Sequence, residues 1–231
     1  MMDMSVYLLP TSSMDLRHPL IQAFVARHVD EDMDDLQKAV ALYHTVRDDI
    51  RYDPYRIELT VEGMRASTTL NKRYGWCVSK AVLLTACYRA CGIPARLGFG
   101  DVKNHMSTER LRKRMETDVF YWHGYTETFL NGRWVKCTPA FNRSLCEKLG
   151  LQPLDFDGIH DSIFHPFDQA GNRFMEYLNE RGSYDDLPLH EILATFKCHY
   201  KGMLEAVNGN FEIEAANEAQ VTSGVYTSTG R

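Results

Sequence analysis

Cys77 and His123 are the residues whose types and settings in this sequence suit nucleophilic chemistry. Cys77 follows Tyr74-Gly75-Trp76 and leads into Val78, Ala81, Val82, Thr85 and Tyr88, an apolar helical face that closes at Cys91-Gly92-Ile93-Pro94. The thiol therefore stands at or just before a helix N-terminus. Unpaired backbone N–H groups there favour a thiolate and can also hold an oxyanion. A cysteine is more often a small buried hydrophobe, and Cys87, Cys91, Cys137, Cys146 and Cys198 are read that way. What separates Cys77 from them is His123, which lies in a polar alternation on a strand leading into a hairpin.

The hairpin fixes the surroundings of His123. Asn131-Gly132, between Thr126-Glu127-Thr128-Phe129-Leu130 and Arg133-Trp134-Val135-Lys136-Cys137, is the strongest turn signal in the chain. With these two as loop residues, Leu130 pairs with Arg133, Glu127 with Lys136, Tyr125 with Thr138 and His123 with Ala140. Thr138 then becomes the diagonal neighbour of His123, roughly 7–8 Å away between backbones and within side-chain reach. Glu127 and Lys136 are expected to neutralise each other across the hairpin.

The elements that must position this pair follow from periodicity. Apolar residues at helical spacing predict helices from Pro19 to His28 and from Asp32 to Ile50, the second opening on a run of carboxylates that suits its macrodipole. Proline ends that pattern at Arg51-Tyr52-Asp53-Pro54. Strands are expected from Ala95 to Gly100 and from Val119 to Leu130, joined by a basic connection with a helical turn. Beyond Pro139 the chain reads as irregular until a helix within Pro188 to Ala206. Helices, then strands, then helix make an α+β domain. We expect one domain over residues 1–207, its core at about 36–142, and a weakly packed tail over 208–231.

Composition narrows the partners. The 231-residue chain is 44% hydrophobic and 25% charged, with no apolar run of membrane-spanning length, so a soluble protein without membrane association is expected. The N-terminal residues lack the basic and apolar regions of a signal peptide, and the six cysteines form no CxxC pair, which points to a cytoplasmic protein with reduced thiols. The Asn142-Arg143-Ser144 sequon is then without consequence. A net charge of −5 and a pI near 6.0 argue against a nucleic-acid surface. The loop residue His105 is expected to be solvated. His160, Asp161 and His165 do not have the spacing of a zinc motif, so no metal and no cofactor is expected.

The run Gly75-Trp76-Cys77-Val78-Ser79-Lys80-Ala81 to Arg89-Ala90-Cys91-Gly92-Ile93-Pro94-Ala95-Arg96, followed by His123-Gly124-Tyr125-Thr126-Glu127 and Gly132-Arg133-Trp134, resembles the transglutaminase-like superfamily, as a stand-alone domain of bacterial type. The resemblance covers roughly residues 36–142. It implies a papain-like core in which a central helix carries the Cys, packed against an antiparallel sheet that carries the His. An Asp on the next strand completes that family's triad. Here the matched position is Thr138, which can accept an imidazole N–H but brings no negative charge. Asn142, Asp155 and Asp157 are the alternative orienting groups. Papain-like peptidases carry a Gln six residues before the nucleophile, an offset held here by Asn71; Trp76 is the other oxyanion or pocket candidate.

The expectation is a cysteine hydrolase acting on a peptide, protein or small amide through a thioester. The alternatives are an amine acyltransferase of the same mechanism, or a peptide-binding module impaired by the Thr138 replacement.

Overall fold

The computed structural model describes residues 3–104, 107–163, 175–200, 202 and 208–225. Two helices open the chain, α1 (Pro19–His28) and α2 (Asp35–Asp49). Asp34 and Gln37 form a reciprocal capping box at the start of α2, which satisfies two orphan N–H groups. The chain then runs through β1 (Arg51–Tyr52), α3 (Ala66–Lys72) and β2 (Tyr74–Gly75), with β1 and β2 forming a short parallel pair. That pair delivers the chain directly into α4 (Cys77–Ala90).

Every residue of α4 from Cys77 to Arg89 is buried, so it is the central helix of the fold rather than a one-sided amphipathic one. Helices α1, α2 and α3 cover one side and the sheet covers the other. Its polar residues are all satisfied. Thr85 donates to Thr126 Oγ1, and Arg89 donates to the carbonyls of Leu9, Ala95 and Asp185. Lys80 donates to the carbonyls of Arg47 and Ile50 at the C-terminal end of α2.

The sheet is antiparallel in the order β5-β4-β3-β6, from strands β3 (Ala95–Asn104), β4 (Val119–Leu130), β5 (Arg133–Cys137) and β6 (Met175–Tyr184). The α+β class and the central helix against an antiparallel sheet are as the sequence indicates. The hairpin turn uses Asn131 and Gly132 at φ 50° and 82°, and the register runs from Leu130–Arg133 to Thr126–Cys137. There β5 ends. The Thr138 N–H turns instead to the carbonyl of Ser162, so the ladder pairs Tyr125–Thr138 and His123–Ala140 do not form. Glu127 does lie opposite Lys136, but it pairs with Arg96 on β3 at 2.5 Å, while Lys136 reaches Glu180 at 3.2 Å. Arg96 wins because β4 is a central strand and the guanidinium is also held over the Trp134 ring.

Three elements depart from the sequence reading. Helix α6 (Arg143–Leu149) and strand β6 occupy the stretch expected to be irregular. Strand β6 is a polar edge strand whose only buried residue is Met175, so it carries no apolar alternation; two register shifts against β3, one at Gly182 with φ 90°, seat it. Between β3 and β4 lies α5 (Glu109–Met115), and after β6 comes α7 (Leu189–His199). Where a weakly packed tail was expected from residue 208, Phe211–Val225 form helix α8. Phe211 packs edge-on against Tyr52 and Tyr55, and Glu212 and Glu214 pair with Lys148 and Arg110. No helix among the described residues is long and apolar enough to cross a membrane.

Candidate active site

Cys77 is the first residue of α4, with Trp76 as its extended N-cap. The Ser79 hydroxyl, one turn in, accepts the Trp76 N–H at 3.1 Å and fixes the entry of the chain. Strand β4 approaches this first turn through Gly124, because a Cβ there would lie 2.9 Å from the Val78 Cα. The close approach brings a third backbone N–H to the sulfur, so those of Gly124, Val78 and Cys77 itself all act on it. Burial nevertheless dominates and pushes the thiol up to about 11. The helix start favours a thiolate, as its unpaired N–H groups should, but desolvation outweighs all three donors at this buried sulfur.

His123 comes from the neighbouring strand at a place where β4 is distorted. Between the pairs Gly100–His123 and Val102–Phe120, strand β4 contains one residue more than β3, and Trp122 in this bulge takes φ 60°. A bulky residue in that region costs about 1–3 kcal/mol, so neighbouring contacts must hold it. Asp101 does so by accepting the Trp122 N–H at 3.1 Å and the Arg181 guanidinium at 2.5 Å. Arg181 lies over the Trp122 ring, whose Nε1–H donates to Thr195 on α7 at 2.8 Å. The bulge sets how β4 presents His123, as bulges beside functional sites commonly do.

Cys77 and His123 line the same cavity, of about 30 Å³, together with Trp76, Tyr52, Phe141, Phe196 and Tyr200. Cys77, Trp76 and His123 are each only 6% exposed. The Trp76 indole Nε1–H is buried without a hydrogen-bond partner among the described residues. Burial holds the phenols of Tyr52, Tyr177 and Tyr200 above their ordinary range, so the rings around the sulfur are neutral. His123 also borders a second small cavity with Thr138 and Ala140. Thr138 is buried and its Oγ1 donates to the Gly124 carbonyl at 3.4 Å, which leaves its lone pairs as acceptors.

The family model described as the transglutaminase-like superfamily matches residues 22–139, just over half of the chain. The chain belongs to the transglutaminase-like superfamily. No curated protein matches it at a significant level. Among solved structures, a candidate cysteine protease from Cytophaga hutchinsonii is 17% identical with a TM-score of 0.47, covering 79% of this chain and 55% of that one. A candidate protease from Parabacteroides distasonis is 16% identical with a TM-score of 0.36, covering 54% of this chain and 25% of that one. This chain thus spans about half the length of the first and a quarter of the second.

Within this transglutaminase-like chain the other expected groups separate. Asn71 is an exposed residue of α3 and does not line the cavity, because the αL residue Arg73 and the β2 pair intervene before Cys77. Asn142 is buried but committed: its Oδ1 accepts the Tyr52 N–H at 3.0 Å and its Nδ2 donates to Ser144 at 2.8 Å. Asp155 is exposed and faces His44 and Arg47. Asp157 is tied to His160, whose side chain and backbone N–H, with that of Ile159, hold its carboxyl below the usual range. Their segment does fold back on the hairpin, with Leu154 beside His123 and Thr138 and Gly158 near Leu130, but the two carboxylates are engaged in these surface and turn pairs. Among the described residues no group of three His, Cys, Asp or Glu side chains is placed to hold a metal ion. His105 and His165 lie outside the described residues.

The sequence reading missed Gly124, Asp101 and the aromatic walls Phe196 and Tyr200. Only Gly124 left a trace in the sequence, as a glycine directly after the candidate base and inside a strand, a place where glycine often marks close approach.

Proposed function

We propose that this protein is a cysteine hydrolase of peptide or amide bonds, with Cys77 as nucleophile and His123 as general base. The observation that carries the reading is the meeting of Cys77 and His123, from a helix start and a distant strand, in one cavity. Burial raises the thiol, so in this reading attack is coupled to proton transfer. The Cys77 S–H proton passes to the His123 imidazole as the sulfur bonds to the carbonyl carbon. The resulting oxyanion is held by N–H groups at the start of α4 and by the Trp76 indole N–H. The C–N bond then breaks, His123 returns the proton to the leaving amine, and a thioester remains on Cys77. Water, giving a proton to His123, attacks the thioester carbonyl, the C–S bond breaks, and His123 returns that proton to the sulfur, releasing the acid and restoring the Cys77 thiol. An amine in place of water would give acyl transfer.

Thr138 is the proposed orienting group, accepting an imidazole N–H through a lone pair. Its neutrality favours one second reading, a peptide-binding module with weak turnover, since imidazolium formed in the attack gains no carboxylate from this position.

A panel of blocked fluorogenic peptide amides, incubated with the wild-type protein and with Cys77→Ala and His123→Ala, tests the reading. Release of fluorophore that disappears in both variants supports it, and mass spectrometry of the acyl product with and without added primary amine distinguishes hydrolysis from transfer. Binding of peptides with no Cys77-dependent release would establish the binding module instead.

A further inference from the structure

The cavity at Cys77 holds about 30 Å³, close to the volume of one water, and so has no room for the side chains that flank an amide bond. A far larger open groove of about 650 Å³ lies against it, within the size range of ligand sites. Ile57 lines both, so the two spaces adjoin at that side chain. The groove is formed by the segment from Tyr55 to Thr60, by Tyr74 on β2, by Leu193 on α7 and by Asn208 and Gly209.

Its floor is fixed before any ligand arrives. Tyr55 is 1% exposed, and its hydroxyl is held by Thr108 at 2.8 Å and Glu214 at 2.9 Å, with Phe211 edge-on to the ring. Its charges are matched internally. Arg56 lies 3.5 Å from Asp53 and over the Tyr74 ring, and Glu58 pairs with Lys72 at 2.8 Å. With both charges partnered, the apolar surface offered to a ligand is that of the half-buried Ile57, Tyr74 and Leu193, above the buried Tyr55 and Leu59. A charged side chain would have to break one of these pairs to gain a counter-ion, whereas an aliphatic or aromatic one would gain burial against Ile57, Tyr74 and Leu193.

We propose that this groove is a specificity subsite that takes an uncharged apolar or aromatic residue of the substrate adjoining the scissile amide, with Ile57 marking the boundary between recognition and chemistry. The proposal rests on the hydrolase reading for its connection to Cys77, but the groove can be tested apart from turnover.

Fluorescein-labelled peptides of the form Gly-Gly-Xaa-Gly-Gly, with Xaa as Leu, Phe, Gly or Asp, are titrated by anisotropy against full-length Cys77→Ala protein, and the unlabelled series is assayed for cleavage by the wild type. Leu and Phe peptides are expected to bind at least about tenfold tighter than Gly and Asp peptides. Leu193→Lys, a half-buried helical position, and Tyr74→Ala should each reduce that preference about tenfold, with circular dichroism confirming that each variant is folded. Equal binding across the series, no binding at all, or an unchanged preference in both folded variants overturns the subsite. Leu and Phe binding that responds to the variants, without Cys77-dependent cleavage, leaves the subsite standing and overturns the hydrolase reading. Cys77-dependent cleavage indifferent to Xaa does the reverse.

Discussion

Cys77 and Cys87 share one helix and are both buried, yet the two ends of α4 surround them differently. At Cys87 burial and the nearby Cys91 both push the thiol far above its ordinary range, and the surrounding N–H groups are spent inside the helix. At Cys77 burial pushes the same way but is opposed by three N–H groups, because the helix start leaves its own donors unpaired and Gly124 adds one from β4. Cys77 also borders a cavity with His123 and Trp76, while Cys87 borders neither cavity of the site. Burial is therefore common to both thiols. Position on the helix, and what the sheet brings to that position, make the difference.

The sharpest break between the two ends is substitution. Cys77→Ala should lower peptide-amide turnover by at least about 10^3-fold. Cys87→Ala should leave turnover within about twofold and cost about 1 kcal/mol of stability for the lost buried volume. Steady-state kinetics and urea denaturation measure both.

A second difference concerns Lys80, one turn after Cys77. Burial lowers its amine to about 7, well below the value in an unfolded chain. Between that pH and about 10.5 the unfolded state binds more protons than the folded one, so this group makes stability rise with pH over that window, by up to about 1.4 kcal/mol per pH unit. Lys80→Met removes the titrating group, and its urea-derived stability should rise less between pH 7.5 and 9.5 than that of the wild type. An unchanged slope would mean that Lys80 titrates near its ordinary value.

Gly124→Ala attacks the contact between β4 and the first turn of α4. The new methyl meets the Val78 backbone, and overpacking of this kind costs about 1–3 kcal/mol. If the sheet tunes Cys77, the same variant slows alkylation of Cys77 and leaves Cys87 as it was, read by mass spectrometry of labelled peptides.

The smallest effect is the pH profile of that labelling. With the thiol at about 11, iodoacetamide labelling of Cys77 should keep rising from pH 7 to pH 10, while Cys87 stays unlabelled until the protein unfolds. A plateau already reached below pH 7 would reveal a resting ion pair and refute the coupled proton transfer proposed above.

Much of this arrangement is local and was readable from the chain alone. A helix beginning at Cys77 follows from side-chain periodicity and the Gly92–Pro94 stop, and the Asn131-Gly132 turn imposes positive φ and with it the register from Leu130–Arg133 inward. These depend on residues a few positions apart, whose preferences add up within one element. Strand β6 was not readable, since a polar edge strand takes its place from pairing with β3. The bulge at Trp122 depends on Asp101 and Arg181, more than twenty and nearly sixty residues away in sequence. The same holds for the acidity of Cys77. The helix start is written in the sequence and argues for a thiolate, but desolvation comes from walls contributed by Tyr52, Phe141, Phe196 and Tyr200, and only their assembly makes burial the larger force. The sequence thus determined which side chains stand at the helix start and on the hairpin, because local backbone preferences suffice for that. Which of them share a cavity, and in what protonation state, was decided by tertiary packing, because dielectric surroundings are a property of neighbours that are distant in the chain.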